Sequence, residues 1–463
     1  MNIRNLLVFF AAVSLIYLFS IIGSSCAQIV APTGGPRDSL PPVLLDASPP
    51  NRTTHFTGNR ITLNFDEYIQ LQNVQQSLLV SPTPKLNPDI NYKLKVVSIK
   101  IRDTLEPNTT YSIDLGNAIQ DINENNPYRN FKYVFSTGSY IDSLQFSGKL
   151  LLAQTGKADS TLIVMLYNNL DDSAVLKKKP KYIARLDSSG NFKFTNLAGG
   201  TYHVFGLKDE SGQKYYNNKT ELFAFADSPV VVNSHTNPVD LFAYAEEKPA
   251  VKTSSSGTKA ADKKLTVTAS LNNGLQDILT PLILTFNNKL KNFDSAKIKL
   301  TDTLFNPYKP ALVALDSTGK KITIQHTWQE NTDYRLIIPV DFATDTLGTA
   351  LLKPDTLRFK TKKEGDYGIL KFNFTNLKKF KNPVLQFVSN NEVVNSYPLP
   401  AAQLSIPLFN PGDYELRILD DTNGNGKWDP GNYELKKQPE KVYSISQKIN
   451  IRANWENEKD IIL

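Results

Sequence analysis

The chain repeats itself over long distances, and this feature constrains its fold more than any other. One set of segments recurs after about 220 residues and a second set after about 212 residues, which are domain-sized periods. The first set pairs Ile61–Asp66 with Leu282–Asn287, Leu105–Ile113 with Trp328–Leu336, and Tyr133–Thr137 with Leu357–Thr361; the second pairs Phe194–Asp209 with Ile406–Asp421. The order of these segments predicts two kinds of domain in an A–B–A–B arrangement.

Alternation of apolar and polar residues predicts that both kinds of domain are built of β-strands. In Arg60–Phe65, the residues Ile61, Leu63 and Phe65 fall on one face of a strand. Short runs of this type are separated by turn residues, and aromatic residues make up 10% of the chain, which favours β-sheet cores. The predicted fold class is therefore all-β, with tandem β-sandwich domains.

These patterns divide the chain into seven segments. A signal peptide covers 1–25, a Pro/Gly-rich tether covers 26–44, and a Lys-, Ser- and Gly-rich linker covers 246–264. Four sandwiches complete the prediction, and we name them A1 (45–138), B1 (144–245), A2 (265–363) and B2 (367–463).

The N-terminus has the parts of an export signal that ends at the only cysteine. Arg4 precedes the apolar stretch Leu6–Ile22, and small residues lead to Cys26. This pattern resembles a bacterial lipobox, although Gly23 stands where Leu is usual. It favours lipidation of Cys26 over an ordinary cleaved signal or an uncleaved anchor. We therefore expect a protein anchored by lipid to a bacterial outer membrane. The sequence does not decide between the cell surface and the periplasmic face.

Composition argues against two other classes of site. A single cysteine excludes internal disulfides and thiolate metal sites. The net charge is +7, but the charges are interspersed, and Lys177–Lys179 and Lys378–Lys379 lack interleaved aromatic residues. These lysines are interpreted as solvated turns, and no nucleic-acid partner is predicted.

One segment of B2 has the character of a calcium loop. Oxygen-bearing residues stand at relative positions 1, 3, 5 and 9, a glycine stands at position 6, and the carbonyl at position 7 is a further ligand. The candidate ligands are Asp421, Asn423, Asn425, Lys427, Asp429 and Glu434. The alternative is an Asn/Gly-rich turn without metal. The equivalent B1 segment, Asp209–Glu221, loses the glycine and the second aspartate, so we expect much weaker binding there.

No catalytic residues are predicted. The sequence contains neither a His-Glu-x-x-His motif, nor a Gly-x-Ser-x-Gly motif, nor a phosphate-binding glycine loop. Tyr111 and Tyr334, which open strands after turns, are interpreted as core residues of the tyrosine-corner type, in which the hydroxyl bonds to nearby backbone.

Several motifs of the first half resemble a known group of proteins. Pro32–Asp38, Asn64–Tyr68, Asn108–Tyr111, Ile119–Asp121 and Phe135–Gly138 resemble bacterial Ig-like-domain lipoproteins common in Bacteroidota. A1 is similar to S-layer-type Ig-like modules, and A2 is a diverged copy. B1, with Gly190–Phe194 and Gly200–Tyr202, is similar to the transthyretin-like sandwiches that accompany carboxypeptidases.

The resemblance implies location and architecture more than chemistry. The predicted function is a non-catalytic envelope protein for adhesion, scaffolding or ligand capture, with an envelope glycan or protein as partner. A polysaccharide-binding component of a nutrient-uptake system and a degradative envelope enzyme are the alternatives.

Overall fold

The computed structural model describes residues 8–14, 37–247, 264–308 and 312–463. These residues form two compact units, one within Met1–Leu79 and Lys85–Ser139 and the other within Val80–Pro84 and Tyr140–Leu463. Strands dominate both units, which confirms the predicted all-β fold class. Residues 8–14 are helical, but no helix among the described residues is long and apolar enough to cross a membrane.

A1 is a set of small antiparallel sheets around an aromatic core. Strand Arg60–Phe65 buries Ile61, Leu63 and Phe65 as the alternation predicts. The strands are β1 (Leu44–Ser48), β2 (Arg60–Phe65), β3 (Ile69–Leu71), β4 (Leu79–Ser81), β5 (Asp89–Lys93), β6 (Val96–Lys100), β7 (Thr110–Gly116), β8 (Ile119–Asp121) and β9 (Phe131–Ser136), with a short helix at Val74–Ser77. One sheet has the order β1-β2-β6-β5, β3 pairs with β8, and β7 pairs with β9.

B1 packs a three-stranded sheet against a larger one. Its strands are β10 (Leu144–Leu152), β11 (Ile163–Tyr167), β12 (Tyr182–Arg185), β13 (Asn191–Leu197), β14 (Gly200–Leu207), β15 (Phe223–Phe225), β16 (Val230–Val232) and β17 (Val239–Ala243), with a short helix at Ala174–Lys177. The smaller sheet has the order β13-β10-β17, and the larger one the order β12-β11-β14-β15 with β16 also on β14. Apolar residues from both sheets form one buried cluster.

A2 repeats the A architecture. Its strands are β18 (Val267–Ala269), β19 (Leu275–Gln276), β20 (Leu282–Phe286), β21 (Leu290–Phe293), β22 (Lys299–Thr301), β23 (Leu312–Leu315), β24 (Lys321–Gln325), β25 (Asp333–Ile338), β26 (Ala343–Asp345) and β27 (Asp355–Thr361), with 3-10 turns at Ser295–Lys297, Val340–Phe342 and Glu364–Asp366. Two of its sheets have the orders β18-β20-β24-β23 and β19-β27-β25-β22.

B2 repeats the B architecture with longer strands. They are β28 (Gly368–Thr375), β29 (Pro383–Ser389), β30 (Glu392–Pro398), β31 (Gln403–Phe409), β32 (Gly412–Asp420), β33 (Lys441–Ile451) and β34 (Glu456–Ile462), with a 3-10 turn at Leu377–Lys379. The sheets have the orders β31-β28-β34 and β30-β29-β32-β33. The last strand of each B domain pairs in parallel with the first, β17 with β10 and β34 with β28.

Matching hydrogen bonds identify the repeat at the level of atoms. The Tyr111 hydroxyl accepts from the Glu106 N–H at 2.7 Å, and the Tyr334 hydroxyl accepts from the Gln329 N–H at 3.2 Å. Both tyrosines are buried, which confirms the predicted tyrosine corners. In the B domains, Tyr202 and Tyr414 each donate a hydroxyl hydrogen bond to the carbonyl four residues earlier.

A2 and B2 meet through a buried tyrosine. The Tyr367 hydroxyl donates to Asp277 Oδ1 at 2.8 Å and accepts from the Ile278 N–H at 2.9 Å. Lys362 at the end of A2 donates to Asn410 of B2 at 3.2 Å. B1, A2 and B2 lie in the same compact unit. The tandem order along the chain therefore goes together with direct contacts among these three domains.

Candidate functional site

The Asp421–Glu440 loop joins β32 to β33 at one end of B2, and Asp421 organises its first turn. Only 2% of Asp421 is exposed. Its carboxylate accepts from the N–H groups of Gly424 at 2.7 Å and Gly426 at 2.6 Å. Their φ angles are +77° and +75°, a backbone conformation that residues with a side chain rarely adopt. The loop conformation therefore requires the aspartate and the glycines together.

The second aspartate of the motif closes the loop. Asp429 Oδ2 accepts from the amide of Asn425 at 2.7 Å and also from the amide of Asn423. The Lys427 N–H donates to Asn425 Oδ1 at 2.7 Å, so the asparagine oxygens also bind backbone. Hydrogen bonds thus link Asn423, Asn425, Lys427 and Asp429, next to the turn that Asp421 holds.

Glu440, which sequence reasoning missed, binds both ends of the loop. Only 3% of it is exposed, and its carboxylate accepts from the Thr422 N–H at 2.8 Å and from the Asp429 N–H at 3.1 Å. Glu434 has a different place, since its carboxylate pairs with Lys219 of B1 at 3.2 Å. The geometry therefore assigns Glu440, rather than Glu434, as the second-half carboxylate of this loop.

The signal that identifies Glu440 lies in the pairing of the strands. Strand β33 begins directly after it, and Val442 pairs with Leu419. In B1, Phe223 pairs with Leu207, which makes Glu221 the equivalent residue. A glutamate just before the returning strand therefore recurs in both loops, but a shift in loop length hides it from a fixed-offset comparison.

The B1 loop is less well satisfied. Asp209 Oδ1 accepts from the Lys214 N–H at 3.0 Å, but Glu221 Oε2 finds no hydrogen-bond partner among the described residues. Burial first, and then the charges of Asp209 and Glu210, raise the pKa of Glu221. The buried glutamate of the B1 loop therefore has one carboxylate oxygen without a donor among the described residues, whereas Glu440 in B2 accepts from Thr422 and Asp429.

The same B2 loop also joins B2 to B1. Tyr433 lies in a socket of B1 aromatic residues and is only 4% exposed. Its ring meets those of Phe205, Phe223 and Phe225 edge-on, with centroid distances of 5.8, 5.1 and 5.3 Å. Its hydroxyl donates to the Asp172 carbonyl at 2.9 Å. We use the name clasp for the contact between B2 and B1 that is formed by Tyr433, the polar bonds around it and a charged cluster at Glu415.

Polar bonds surround Tyr433 in the clasp. The Tyr433 N–H donates to Glu246 at 3.0 Å, and the Gln438 amide donates to Asp227 at 2.7 Å. The Val442 N–H donates to the carbonyl of Ala153 at 2.9 Å, so strand β33 also bonds to B1 through its backbone. Aromatic rings bordered by hydrogen bonds are typical of stable protein interfaces.

A further part of the clasp is a charged cluster centred on Glu415. Lys157 of B1 lies 2.7 Å from this carboxylate, and Lys448 and Arg417 of B2 each lie 3.6 Å from it. The hydrogen bond from Lys157, followed by the positive charges, lowers the pKa of Glu415.

The predicted lipid anchor and the predicted metal site find no counterpart in this geometry. Cys26 and most of the signal peptide and linker are outside the described residues. Within the part of the chain that the structure describes, no group of three or more His, Cys, Asp or Glu side chains is arranged to hold a metal ion. A cation in the B2 loop would therefore rely on asparagine and carbonyl oxygens as well as carboxylates.

Residues 38–137 match the family model of the bacterial Ig-like domain, which corresponds to A1. No curated protein matches the chain. Solved structures similar to it include a fragment of Escherichia coli alpha-2-macroglobulin spanning domains MG0-NIE-MG1, at 14% identity over 40% of this chain and 72% of that one, with a TM-score of 0.20.

Two further similar structures come from bacterial surface proteins. BcpA, the major pilin subunit of Bacillus cereus, is 12% identical over 69% of this chain and 99% of its own, with a TM-score of 0.17. The S-layer protein rSbsC is 9% identical over 92% of this chain and 54% of its own, with a TM-score of 0.16. None of these likenesses is close enough to transfer a function.

Proposed function

We propose that this protein is a non-catalytic, lipid-anchored scaffold of the bacterial cell envelope. The observation that carries the proposal is the clasp, because a scaffold needs domains that keep a fixed arrangement. Tyr433 in its B1 socket, with the backbone bond from Val442 to Ala153, ties together two domains separated in sequence by A2. The Ig-like match of A1 agrees with a modular bacterial protein of this kind.

The anchor is the part of the proposal that rests on sequence. Lipid on Cys26 would attach the chain to the outer membrane through the Pro/Gly-rich tether. Expression of the wild type and of Cys26→Ser in a bacterial host that processes lipoproteins, followed by membrane fractionation, tests this directly. Wild-type protein should incorporate labelled fatty acid and sediment with membranes, and Cys26→Ser should do neither. Equal sedimentation of both would overturn the lipid anchor.

Protease treatment of intact cells distinguishes the two faces of the membrane. Digestion of the protein in intact cells would support exposure at the surface and adhesion to an external partner. Protection until the outer membrane is broken would support a periplasmic scaffold. A control periplasmic protein must remain undigested in the same cells.

We also propose that the B2 loop takes Ca²⁺. The proposal is supported by the motif spacing, which places Asn423 and Asn425 within hydrogen-bond reach of Asp429, with Asp421 holding the turn. The two amides now donate to Asp429, so Ca²⁺ binding would require them to turn their oxygens toward the ion. Calorimetric titration of the folded protein with Ca²⁺ provides the test, with Asp429→Asn as the variant because it removes only a charge. Asp209→Asn in the B1 loop is the matched control. Absence of heat with wild-type protein would support the turn without metal. Binding that is unchanged by Asp429→Asn would place the ion outside this loop.

A further inference from the structure

The loops of B1 and B2 differ in what surrounds their buried glutamate. In B2, Glu440 Oε1 accepts from the N–H and the hydroxyl of Thr422, at 2.8 and 2.9 Å. Its other oxygen, Oε2, accepts from the Asp429 N–H at 3.1 Å. Both oxygens of Glu440 therefore have donors, and these donors stabilise the buried charge without an ion.

The B1 loop has an acceptor where the B2 loop has these donors. Glu210 stands at the position that Thr422 has in B2. Its N–H donates to the Lys208 carbonyl at 2.9 Å, and its side chain is a carboxylate instead of a hydroxyl. Glu221 therefore has an acidic neighbour at the place from which Glu440 receives two hydrogen bonds.

A second carboxylate lies beside Glu221 at the mouth of the B1 loop. The Lys208 N–H donates to the Leu222 carbonyl at 2.9 Å, which continues the antiparallel register of the two strands. Asp209 and Glu221 are the next residues on either side, so they stand opposite one another. The Lys214 N–H donates to Asp209 Oδ1 at 3.0 Å, a bond that does not use Oδ2.

The oxygen of Glu221 that lacks a donor is the observation that points to a ligand. Glu221 is only 8% exposed, and its Oε2 is buried without a hydrogen-bond partner among the described residues. Burial first, and then the charges of Asp209 and Glu210, raise the pKa of this carboxyl. A buried carboxylate is stable when it is paired or coordinates a metal ion, and only a cation suits an anion with acidic neighbours.

We propose that the mouth of the B1 loop binds Ca²⁺ through Glu221 Oε2 and the carboxylate of Asp209. Oxygen ligands select Ca²⁺ or Mg²⁺, and Ca²⁺ tolerates the irregular geometry of a loop better. Two carboxylates leave most of the coordination to water, so the dissociation constant should be about 0.1–1 mM, as in extracellular modules. Such an affinity suits a protein outside the cytoplasm, and in this respect the inference rests on the proposed function.

The B1 loop also forms part of the socket that receives Tyr433. Tyr216 lies in this loop, and its ring stacks on that of Phe223 with the centroids 4.1 Å apart. Phe223 in turn meets Tyr433 edge-on at 5.1 Å. An ion that holds the mouth of the loop would therefore stabilise the B1 side of the clasp.

The experiment separates this site from the B2 loop. It uses the chain from residue 26 with Cys26→Ser, which carries no lipid, and with Asp429→Asn, which disables the proposed B2 site. Tb³⁺ serves as a luminescent probe that nearby tyrosines such as Tyr216 sensitise, and Ca²⁺ is added in competition. The same protein is unfolded thermally in chelator and in about 5 mM Ca²⁺, which exceeds the expected dissociation constant.

Ca²⁺ should displace Tb³⁺ and raise the thermal midpoint of this protein. Glu221→Gln and Asp209→Asn should each weaken Ca²⁺ binding at least tenfold. Asp187→Asn, which alters a carboxylate that accepts backbone bonds in another turn of B1, should leave binding unchanged. In chelator, Glu221→Gln should be at least as stable as its parent, so a lost response cannot be attributed to unfolding.

Two outcomes would overturn the proposal. One is the absence of binding in the Asp429→Asn background, which would leave water as the partner of Glu221. The other is binding that survives Glu221→Gln. Because the Asp429→Asn background lacks the B2 site and Cys26→Ser lacks the lipid, failure of either earlier proposal does not affect this result.

In the calorimetric titration of the wild type, Asp209→Asn should then remove only the B1 event.

Discussion

Glu221 and Glu440 occupy equivalent positions in B1 and B2, each two residues before the residue that pairs with Leu207 or Leu419. Both are buried, at 8% and 3% exposure. Glu440 accepts hydrogen bonds from Thr422 and Asp429, whereas Glu221 keeps an oxygen without a partner. Equivalent buried glutamates therefore have donors to both ends of the loop in B2 and an oxygen without a donor in B1.

Replacing these glutamates by glutamine should change stability in opposite directions. Glu440→Gln loses bonds to a charged acceptor and turns an amide toward a donor, which should destabilise B2 by about 1.5–3 kcal/mol. Glu221→Gln removes a buried charge without adequate donors and should raise the unfolding midpoint at neutral pH. Thermal unfolding of the two variants beside wild type measures both effects.

The pH dependence of the Glu221→Gln effect follows from the raised pKa of Glu221. The ionised carboxylate opposes folding above that raised pKa, and protonation relieves the cost as the pH falls through it. The gain from Glu221→Gln should therefore be largest at neutral pH and disappear in acid. A gain that is independent of pH would contradict this account.

Removal of Tyr433 should open the clasp. Tyr433→Ala empties an aromatic socket, and truncations of this size cost about 3–5 kcal/mol. Small-angle scattering should show a larger radius of gyration, with the secondary structure unchanged by circular dichroism. Tyr433→Phe keeps the ring and loses only the bond to Asp172, so it should remain compact. Trp455→Ala, at a side chain 60% exposed, controls for loss of an aromatic residue elsewhere in B2.

The tyrosine corners should contribute similar energies in A1 and A2. Tyr111→Phe and Tyr334→Phe each remove one hydroxyl that binds a backbone N–H, and each should cost about 1 kcal/mol in its own domain. Urea unfolding monitored by the fluorescence of Trp328, which packs against Tyr334, reports on the second variant. A cost below about 0.3 kcal/mol would mean that water replaces the bond.

Acid should weaken the polar side of the clasp. The pKa of Glu415 is lowered mainly by the Lys157 hydrogen bond, so its contribution is present above the ordinary glutamate pKa and is lost as the pH falls through the lowered value. The groups are partly exposed, so the effect should stay below about 1 kcal/mol. Thermal unfolding of wild type and Glu415→Gln between about pH 7 and about pH 3 should show that the variant loses less stability in acid than the wild type.

Much of the fold is legible in the sequence because the repeat and the alternation are local patterns. Ile61, Leu63 and Phe65 alternate visibly, and Tyr111 and Tyr334 follow the same turn residues. The Asp421 loop is equally visible because its donors and acceptors lie within nine positions of the chain. These features need only short-range information.

The rest depends on contacts between distant residues. In the sequence, Tyr433 has the pattern of an ordinary loop tyrosine. The neighbouring residues do not indicate that it packs against B1 phenylalanines more than 200 residues earlier. Glu434 is closer than Glu440 to the expected ligand position, and only the pairing of β33 with β32 shows that Glu440 lies against the loop. Contacts between residues far apart in the chain have no local signature, so spacing alone does not reveal them.

The clasp changes what holds the two halves of the chain together. B2 is joined to B1 by side chains and backbone, and to A2 through Tyr367, so the linker predicted at 246–264 would not be the only connection between the halves. A protease that cuts after the linker lysines would leave two fragments that travel as one particle until denaturant separates them. For a protein exposed to proteases, cleavage at this linker would leave the arrangement of the domains intact.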